Sequence, residues 1–350
     1  MSRIDTALTR LLDIKTPVVC APMAGASGGA LAAQVTDGGA FGFLGAGYDT
    51  PDKLQEELSL ARSVLRLQSV DRLPIGVGYL AWQLEQSPSR AFELIDIALE
   101  NRVQAIWLAF GSDLSRWVRY IREYDSRPER NHKTLICVQV SSVQGALVAI
   151  SDLKTDILVA QGNESGGHGY GSSPSLLTLL SSILADAPKD APPILAAGGL
   201  SDGSQLASLL VLGAAGVVLG TRFLLTPESL YTDAQKRALV AAKSTSTVRT
   251  MAFDRVRGTL GWPSGVDGRA LYNNTVRDMD SGTDISVVKE QFVEGVRSGD
   301  ADRMLVWAGT GVGLMSEIKG AKDIVRELHH ATIQYLNAAS RFVVNKQHEG

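Results

Sequence analysis

The chain has 350 residues, 45% hydrophobic and 20% charged, which is enough for one large α/β domain with an insertion or for two smaller domains. Its 34 Lys and Arg against 37 Asp and Glu leave a net charge of −3, which excludes a surface built for nucleic acid or anionic membranes, since either needs a basic excess. No apolar run approaches the ~20 residues of a spanning helix, Met1 to Asp13 has no signal-peptide core, and Cys20 and Cys137 are too few for a disulfide framework. A soluble cytoplasmic protein acting on a small molecule is expected, and a homodimer is compatible with the composition.

Short, almost continuously apolar runs fall at 17–21, 41–45, 74–80, 104–110, 134–140, 156–161, 193–198 and 216–220. Continuous rather than alternating apolar character predicts strands covered on both faces. Helix-like stretches separate them, as at 28–36, 50–67, 89–101 and 113–123, with Asp113 and Ser201 placed as N-caps. Strands joined by crossovers of this size run parallel. Eight such units are more than most doubly wound open sheets hold, and they close a (β/α)8 TIM barrel, a fold of about 250 residues.

Beyond the eighth strand the chain is too long for a single closing helix. A helix is expected over 227–243 with Thr226 as its cap, since Pro227 suits a first turn. Over 244–280 the pattern breaks up, with Gly258, Gly261, Pro263, Gly265 and Gly268 crowded together. Helical periodicity resumes at 285–296, and a last helix over 321–342 places Ile324, Leu328, Ala331, Tyr335, Ala338 and Phe342 on one face. The expected architecture is a barrel over 1–222, a smaller, mainly helical subdomain over 223–320, and a helix over 321–345 returning to the barrel.

Active sites of such barrels lie at the C-terminal ends of the strands. Those ends carry Ala21-Pro22-Met23-Ala24-Gly25, Gln161-Gly162 followed by Gly166-Gly167-His168-Gly169, Ala197-Gly198-Gly199, and Gly220-Thr221-Arg222. Glycines at two adjacent strand ends, each followed by a helix, aim backbone amides at one point and would hold a phosphate there. Gly198, Gly199, Gly220 and Thr221 are the candidate ligands; tight turns alone would also account for such glycines. His168 is the one histidine of five in a glycine-rich segment at a strand end, where it can exchange a proton near neutral pH. A histidine that only bonds the backbone is the competing reading. Cys20 and Cys137 read as buried inert thiols, and Glu164 as a solvated loop carboxylate. No His-Glu-x-x-His or Cys-x-x-Cys spacing points to a metal, and no nucleophile elbow or phosphate-binding Gly-Lys loop is present.

Taken in order and spacing, these segments resemble the nitronate monooxygenases, formerly 2-nitropropane dioxygenases, which are FMN-dependent TIM-barrel enzymes. The resemblance extends through Gly76-Val77-Gly78, Gly216 to Leu224 and Trp307-Ala308-Gly309-Thr310-Gly311-Val312-Gly313, and its fungal-like branch is the nearer match. It implies that Ala21, Pro22 and Met23 lie against the isoalloxazine. Gln139 and Gln161 would face the ring or ribityl chain, Gly166 and Gly167 would also border the cofactor, and the four phosphate candidates would keep that role. His168 matches the family's catalytic histidine. Gly78 stands where many bacterial relatives carry asparagine, and Gln139 where lysine is common. The implied reaction is oxidation of an alkyl nitronate by O2 to a carbonyl compound and nitrite, with His168 as general base toward neutral nitroalkanes. An NAD(P)H:quinone reductase on the same scaffold is the alternative; an acyl-carrier enoyl reductase, a non-catalytic flavin binder and a barrel for another phosphorylated ligand are weaker ones. Candidate pocket walls are Met23, Tyr79, Trp82, Phe110, Tyr170 and Trp307; Met23 and Tyr170 read equally as wall or core, and the other four read more readily as core.

Overall fold

The computed structural model describes residues 1–342, so residues 343–345 of the expected last helix lie outside the described residues. Its strands are β1 (Val18–Cys20), β2 (Phe41–Gly45), β3 (Leu73–Leu80), β4 (Val103–Ala109), β5 (Leu135–Val140), β6 (Ile157–Gln161), β7 (Gly167–Tyr170), β8 (Ile194–Ala197), β9 (Gly216–Leu219), β10 (Thr247–Thr250) and β11 (Val266–Leu271). All but three close a parallel barrel in the order β1-β2-β3-β4-β5-β6-β8-β9, with β9 pairing back onto β1. This is a (β/α)8 barrel of the TIM type.

Burial on both faces explains the unbroken apolar runs. Val19, Phe41, Phe43, Ala105, Trp107, Cys137, Val159 and Leu195 fill the barrel, while Val18, Cys20, Leu44, Val77, Ile106, Val138 and Leu158 face the surrounding helices. Phe43 meets Phe41 and Trp107 edge-on, each at 5.2 Å between ring centroids. Leu8 and Leu12, from the helix Ala7–Leu12, join the inner cluster. Leu8 packs where a Cβ on Gly216 would be 2.5 Å from it, so this helix closes the end of the barrel where β9 begins.

Local capping departs from the sequence reading at two helices. Asp113 caps Leu114–Asp125 as expected. Ser201 is not a cap: its hydroxyl donates to Gly311 O at 2.8 Å, and Asp202 caps Gly203–Leu212. Asp202 accepts from the Gln205 amide while Gln205 reaches back to the cap amide, so two unpaired N–H groups are satisfied at once. Thr226 likewise caps no helix. Its Oγ accepts from Ser229 N in a turn, and the helix is Asp233–Ala241, started by the same reciprocal arrangement between Thr232 and Gln235.

The segment read as broken is ordered. It holds β10, the helix Ala252–Arg257, β11 and the helix Asn274–Asp280, followed by Ile285–Ser298. β10, β11 and β7 form an antiparallel sheet with β11 in the middle, which the mainly helical expectation misses. His168 therefore sits on a strand, opposite Gly268 of β11, and not in a loop. The last helix runs Ala321–Ala339 with a 3-10 turn to Phe342. It crosses Gly203–Leu212, where a Cβ on Gly203 would lie 2.6 Å from the Ala331 Cβ. Among the described residues, no helix is long and apolar enough to cross a membrane.

Candidate active site

All twelve site residues expected from sequence line one cavity of about 520 Å³ at the C-terminal ends of the barrel strands: Ala21, Pro22, Met23, Gln139, Gln161, Gly166, Gly167, His168, Gly198, Gly199, Gly220 and Thr221. That volume is in the range of small-molecule and cofactor sites.

One wall is the turn after β1. The Met23 amide donates to Ser27 Oγ at 2.7 Å, so this residue offers a ligand its thioether rather than its N–H. Pro22 packs so closely on β3 that a Cβ at Gly78 would be 2.2 Å from the Pro22 Cβ. Glycine at 78 is thus what lets this turn close over the barrel. Opposite, Gln139 donates to Gln161 at 2.8 Å, and Gln161 donates to the His168 carbonyl at 3.3 Å.

The floor is built of glycine turns. Gly198 and Gly199 have φ of +125° and +68°, a region that side chains rarely adopt. A Cβ on Gly199 would fall 2.7 Å from Thr310 Oγ1, and one on Gly166 would fall 2.4 Å from Gly309 N. Gly309 N donates to Thr221 Oγ1 at 3.0 Å. The turns at 166–167 and 309–310 thus meet backbone to backbone, and the hydroxyls of Thr310 and Thr221 tie in those at 198–199 and 220–221. Ser165 Oγ, which lines the same cavity, is buried without a hydrogen-bond partner. Glu164 is not a solvated carboxylate: both its oxygens accept the Leu176 amide at 2.9 Å, closing the N-terminus of Leu176–Asp186.

His168 is enclosed by residues that the sequence did not single out. Its Nε2 lies 3.0 Å from both oxygens of Asp254. Its ring stacks on Trp262, with centroids 3.6 Å apart and planes 12° from parallel, and meets the edge of Trp307 at 4.8 Å. Asp254 has no solvent exposure; it also accepts from Thr259 Oγ1 at 2.8 Å and Trp262 Nε1 at 3.1 Å. The glycines of the broken segment make this packing feasible. A Cβ on Gly268 would be 2.3 Å from the Trp307 ring, and one on Gly261 would be 2.2 Å from Trp82. Arg249 secures β7 from below, donating to Gly169 O at 2.6 Å and to Asp267 Oδ1 at 2.5 Å.

Among the described residues, Arg257 is the one permanently charged side chain lining the cavity, and no carboxylate lines it. Burial pushes the Tyr48 phenol up to about 12 and raises Tyr231 as well; both stay neutral, and the Tyr231 hydroxyl is held by the Trp307 backbone, accepting from its N–H at 2.9 Å and donating to its carbonyl at 3.4 Å. The Arg257 cation stands against the Asp254 carboxylate behind His168, and the two act on Tyr48 in opposite directions. Of the candidate walls, Met23, Phe110 and Trp307 line the cavity. Tyr79 belongs to the core, its hydroxyl donating to Leu94 O at 2.7 Å. Trp82 stands behind Trp262 at 5.2 Å, and Tyr170 faces an adjoining cavity beyond Phe110, Gln139 and Gln161. Cys20 and Cys137 are buried, with thiols raised by desolvation, as an inert role requires. Sequence reasoning missed Asp254, Trp262, Arg257, Tyr48 and Tyr231. Trp262 alone left a signal, a tryptophan amid glycines and a proline.

A barrel with a glycine-floored cavity at its strand ends and a histidine–carboxylate pair at its rim belongs to a class of small-molecule enzymes. The nitronate monooxygenase family model matches residues 5–331. A nitronate monooxygenase of Metarhizium robertsii, npaC, is 33% identical over 335 residues, covering 89% of this chain and 90% of that one. Two solved structures share the fold over nearly the whole chain. FabK from Thermotoga maritima has a TM-score of 0.78 at 26% identity, covering 97% of this chain and 100% of that one. Nitroalkane oxidase from Streptomyces ansochromogenes has 0.76 at 27%, covering 96% and 100%. The chain belongs to the nitronate monooxygenase family, and is an oxidoreductase that oxidises nitronates.

Proposed function

We propose that the cavity holds FMN and that the protein uses it to oxidise alkyl nitronates with O2 to carbonyl compounds and nitrite, His168 acting as general base when a neutral nitroalkane is the substrate. The fit of the cofactor rests on three features: the positive-φ turn at Gly198-Gly199, the unpartnered buried hydroxyl of Ser165, and a lining without carboxylates. The backbone of Gly198, Gly199, Gly220 and Thr221 would hold the phosphate, as amides at strand ends do in this fold. Ala21, Pro22 and Met23 would border the flavin ring, with Gln139, Gln161, Gly166 and Gly167 around it. FMN, when bound, supplies the electron transfer and the reaction with O2.

The chain's own contribution is binding and proton transfer. The cation of Arg257 and the neutral phenol of Tyr48 would draw an anionic nitronate. Trp262, Trp307 and Phe110 exclude water from the substrate side. His168 removes the α-proton of a neutral nitroalkane and, once protonated, stabilises the negative nitro oxygens. The observation that carries this reading is His168 on the cavity wall with a buried carboxylate at its far nitrogen.

The test is nitrite release from an alkyl nitronate in air, run beside NADH oxidation with a quinone on the same flavin-loaded protein. Nitrite at a rate well above flavin alone is expected. NADH oxidation without nitrite would favour the reductase chemistry instead.

A further inference from the structure

We infer that Asp254 is a positioning residue that holds His168 in a single tautomer and leaves Nδ1 as the atom that accepts the substrate's proton. This rests on the base role proposed for His168. Asp254 belongs to Ala252–Arg257, 86 residues along the chain from the histidine it meets. Its carboxylate is surrounded by donors. The indole N–H of Trp262 can only donate, and with the Thr259 hydroxyl it occupies Oδ1.

Nε2 is 3.0 Å from each oxygen, so it carries the hydrogen; the opposite tautomer would set a nitrogen lone pair against carboxylate lone pairs. In a neutral ring that leaves the lone pair on Nδ1. Among the described residues Nδ1 has no hydrogen-bond partner, and its ring lines the cavity. Trp262 on one face and the edge of Trp307 limit rotation of the ring. The segment 247–271 thus positions the histidine: one helix and one turn set the chemical state of a side chain on another element.

The same geometry fixes what an amide would do. In Asp254→Asn the carbonyl oxygen is claimed by Thr259 and Trp262, so the amide nitrogen faces Nε2 as a donor. The tautomer inverts and Nδ1 becomes protonated. Turnover of a neutral nitroalkane by the flavin-loaded variant should fall by about a hundredfold or more in kcat/KM, the direction seen when a histidine base is held in the wrong tautomer. A pre-formed nitronate, which has no α-proton to lose, should fall by less than about tenfold, and Asp254→Glu should recover part of the nitroalkane rate.

Nitrogen NMR of wild-type protein labelled with 15N-histidine, with His168→Asn used to assign the signal, reads the tautomer without any Asp254 variant. The expected state is Nε2–H with an unprotonated Nδ1. A protonated Nδ1 in the neutral wild-type ring, or equal losses on nitroalkane and nitronate in Asp254→Asn, would overturn the inference while leaving nitronate oxidation intact. Wild-type protein that yields no nitrite from any nitronate would instead remove the base reading, and this inference with it.

Discussion

Trp262 lies flat on the His168 imidazole, with ring centroids 3.6 Å apart, while its indole N–H donates to Asp254 at 3.1 Å. One side chain therefore covers the imidazole and supports the carboxylate behind it. Trp262→Phe keeps an aromatic face but strips a donor from a buried charge, which costs about 1.5–3 kcal/mol. Trp262→Ala also loses the ring's packing against His168 and Trp82 and should cost more. Denaturant unfolding should rank wild type above Phe above Ala, with nitroalkane turnover falling in the same order.

His168→Asn leaves the glycine turns intact and removes the proton acceptor. FMN should remain bound, a nitronate should still release nitrite, and kcat/KM for the neutral nitroalkane should drop by about 10²–10⁴. Steady-state assays with both substrates check this; equal losses would show that the histidine does not act as a base.

Gly199 and Gly167 share a φ of +68° but differ in surroundings. A Cβ on Gly199 meets Thr310 Oγ1 at 2.7 Å and Glu164 Cβ at 2.9 Å, whereas one on Gly167 meets nothing within 4 Å. Gly167→Ala should cost only backbone strain, about 1–2 kcal/mol. Gly199→Ala should cost more and move the phosphate turn, weakening FMN by about tenfold or more, equivalent to about 1.4 kcal/mol. Thermal melts and flavin titrations separate the two.

Two histidines outside the site govern acid stability. Burial, and then the Arg130 and Arg72 cations, lower His132 from 6.5 to about 4; its Nε2 faces Arg130 Nη2 at 3.1 Å, and its Nδ1 is buried without a partner. Burial also lowers His329, whose Nδ1 pairs with Thr16 Oγ1 at 2.8 Å. In the unfolded chain both take up protons near the ordinary value, whereas the folded protein resists. The contribution of His132 is therefore full above pH 6.5 and is lost as pH falls toward about 4, and that of His329 is lost in the same direction. Melting temperature should decline across that window, and less steeply in His132→Gln.

Much of the barrel was legible because its strands are buried on both faces, and Phe41–Gly45 and Gly216–Leu219 read as continuous apolar runs. The rim glycines were legible through their positions at strand ends. β7 was not: Gly167-His168-Gly169-Tyr170 has no apolar pattern, and its strand form comes from pairing with β11, distant in sequence. Asp254 was hidden for the same reason, since a lone aspartate in a helix of six residues signals nothing until the fold brings His168 to it. The caps were a different failure. Asp202 with Gln205, and Thr232 with Gln235, carry a readable capping pattern, but the neighbouring Ser201 and the Thr226-Pro227 pair offered competing ones.

Titration of the purified protein with FMN, followed by flavin fluorescence and by release on denaturation, decides whether the glycine-lined cavity beside His168 is a flavin site. Saturable binding of one FMN per chain is expected, weakened in Gly199→Ala and retained in His168→Asn. Protein that purifies colourless and leaves the fluorescence of added FMN unchanged would contradict it.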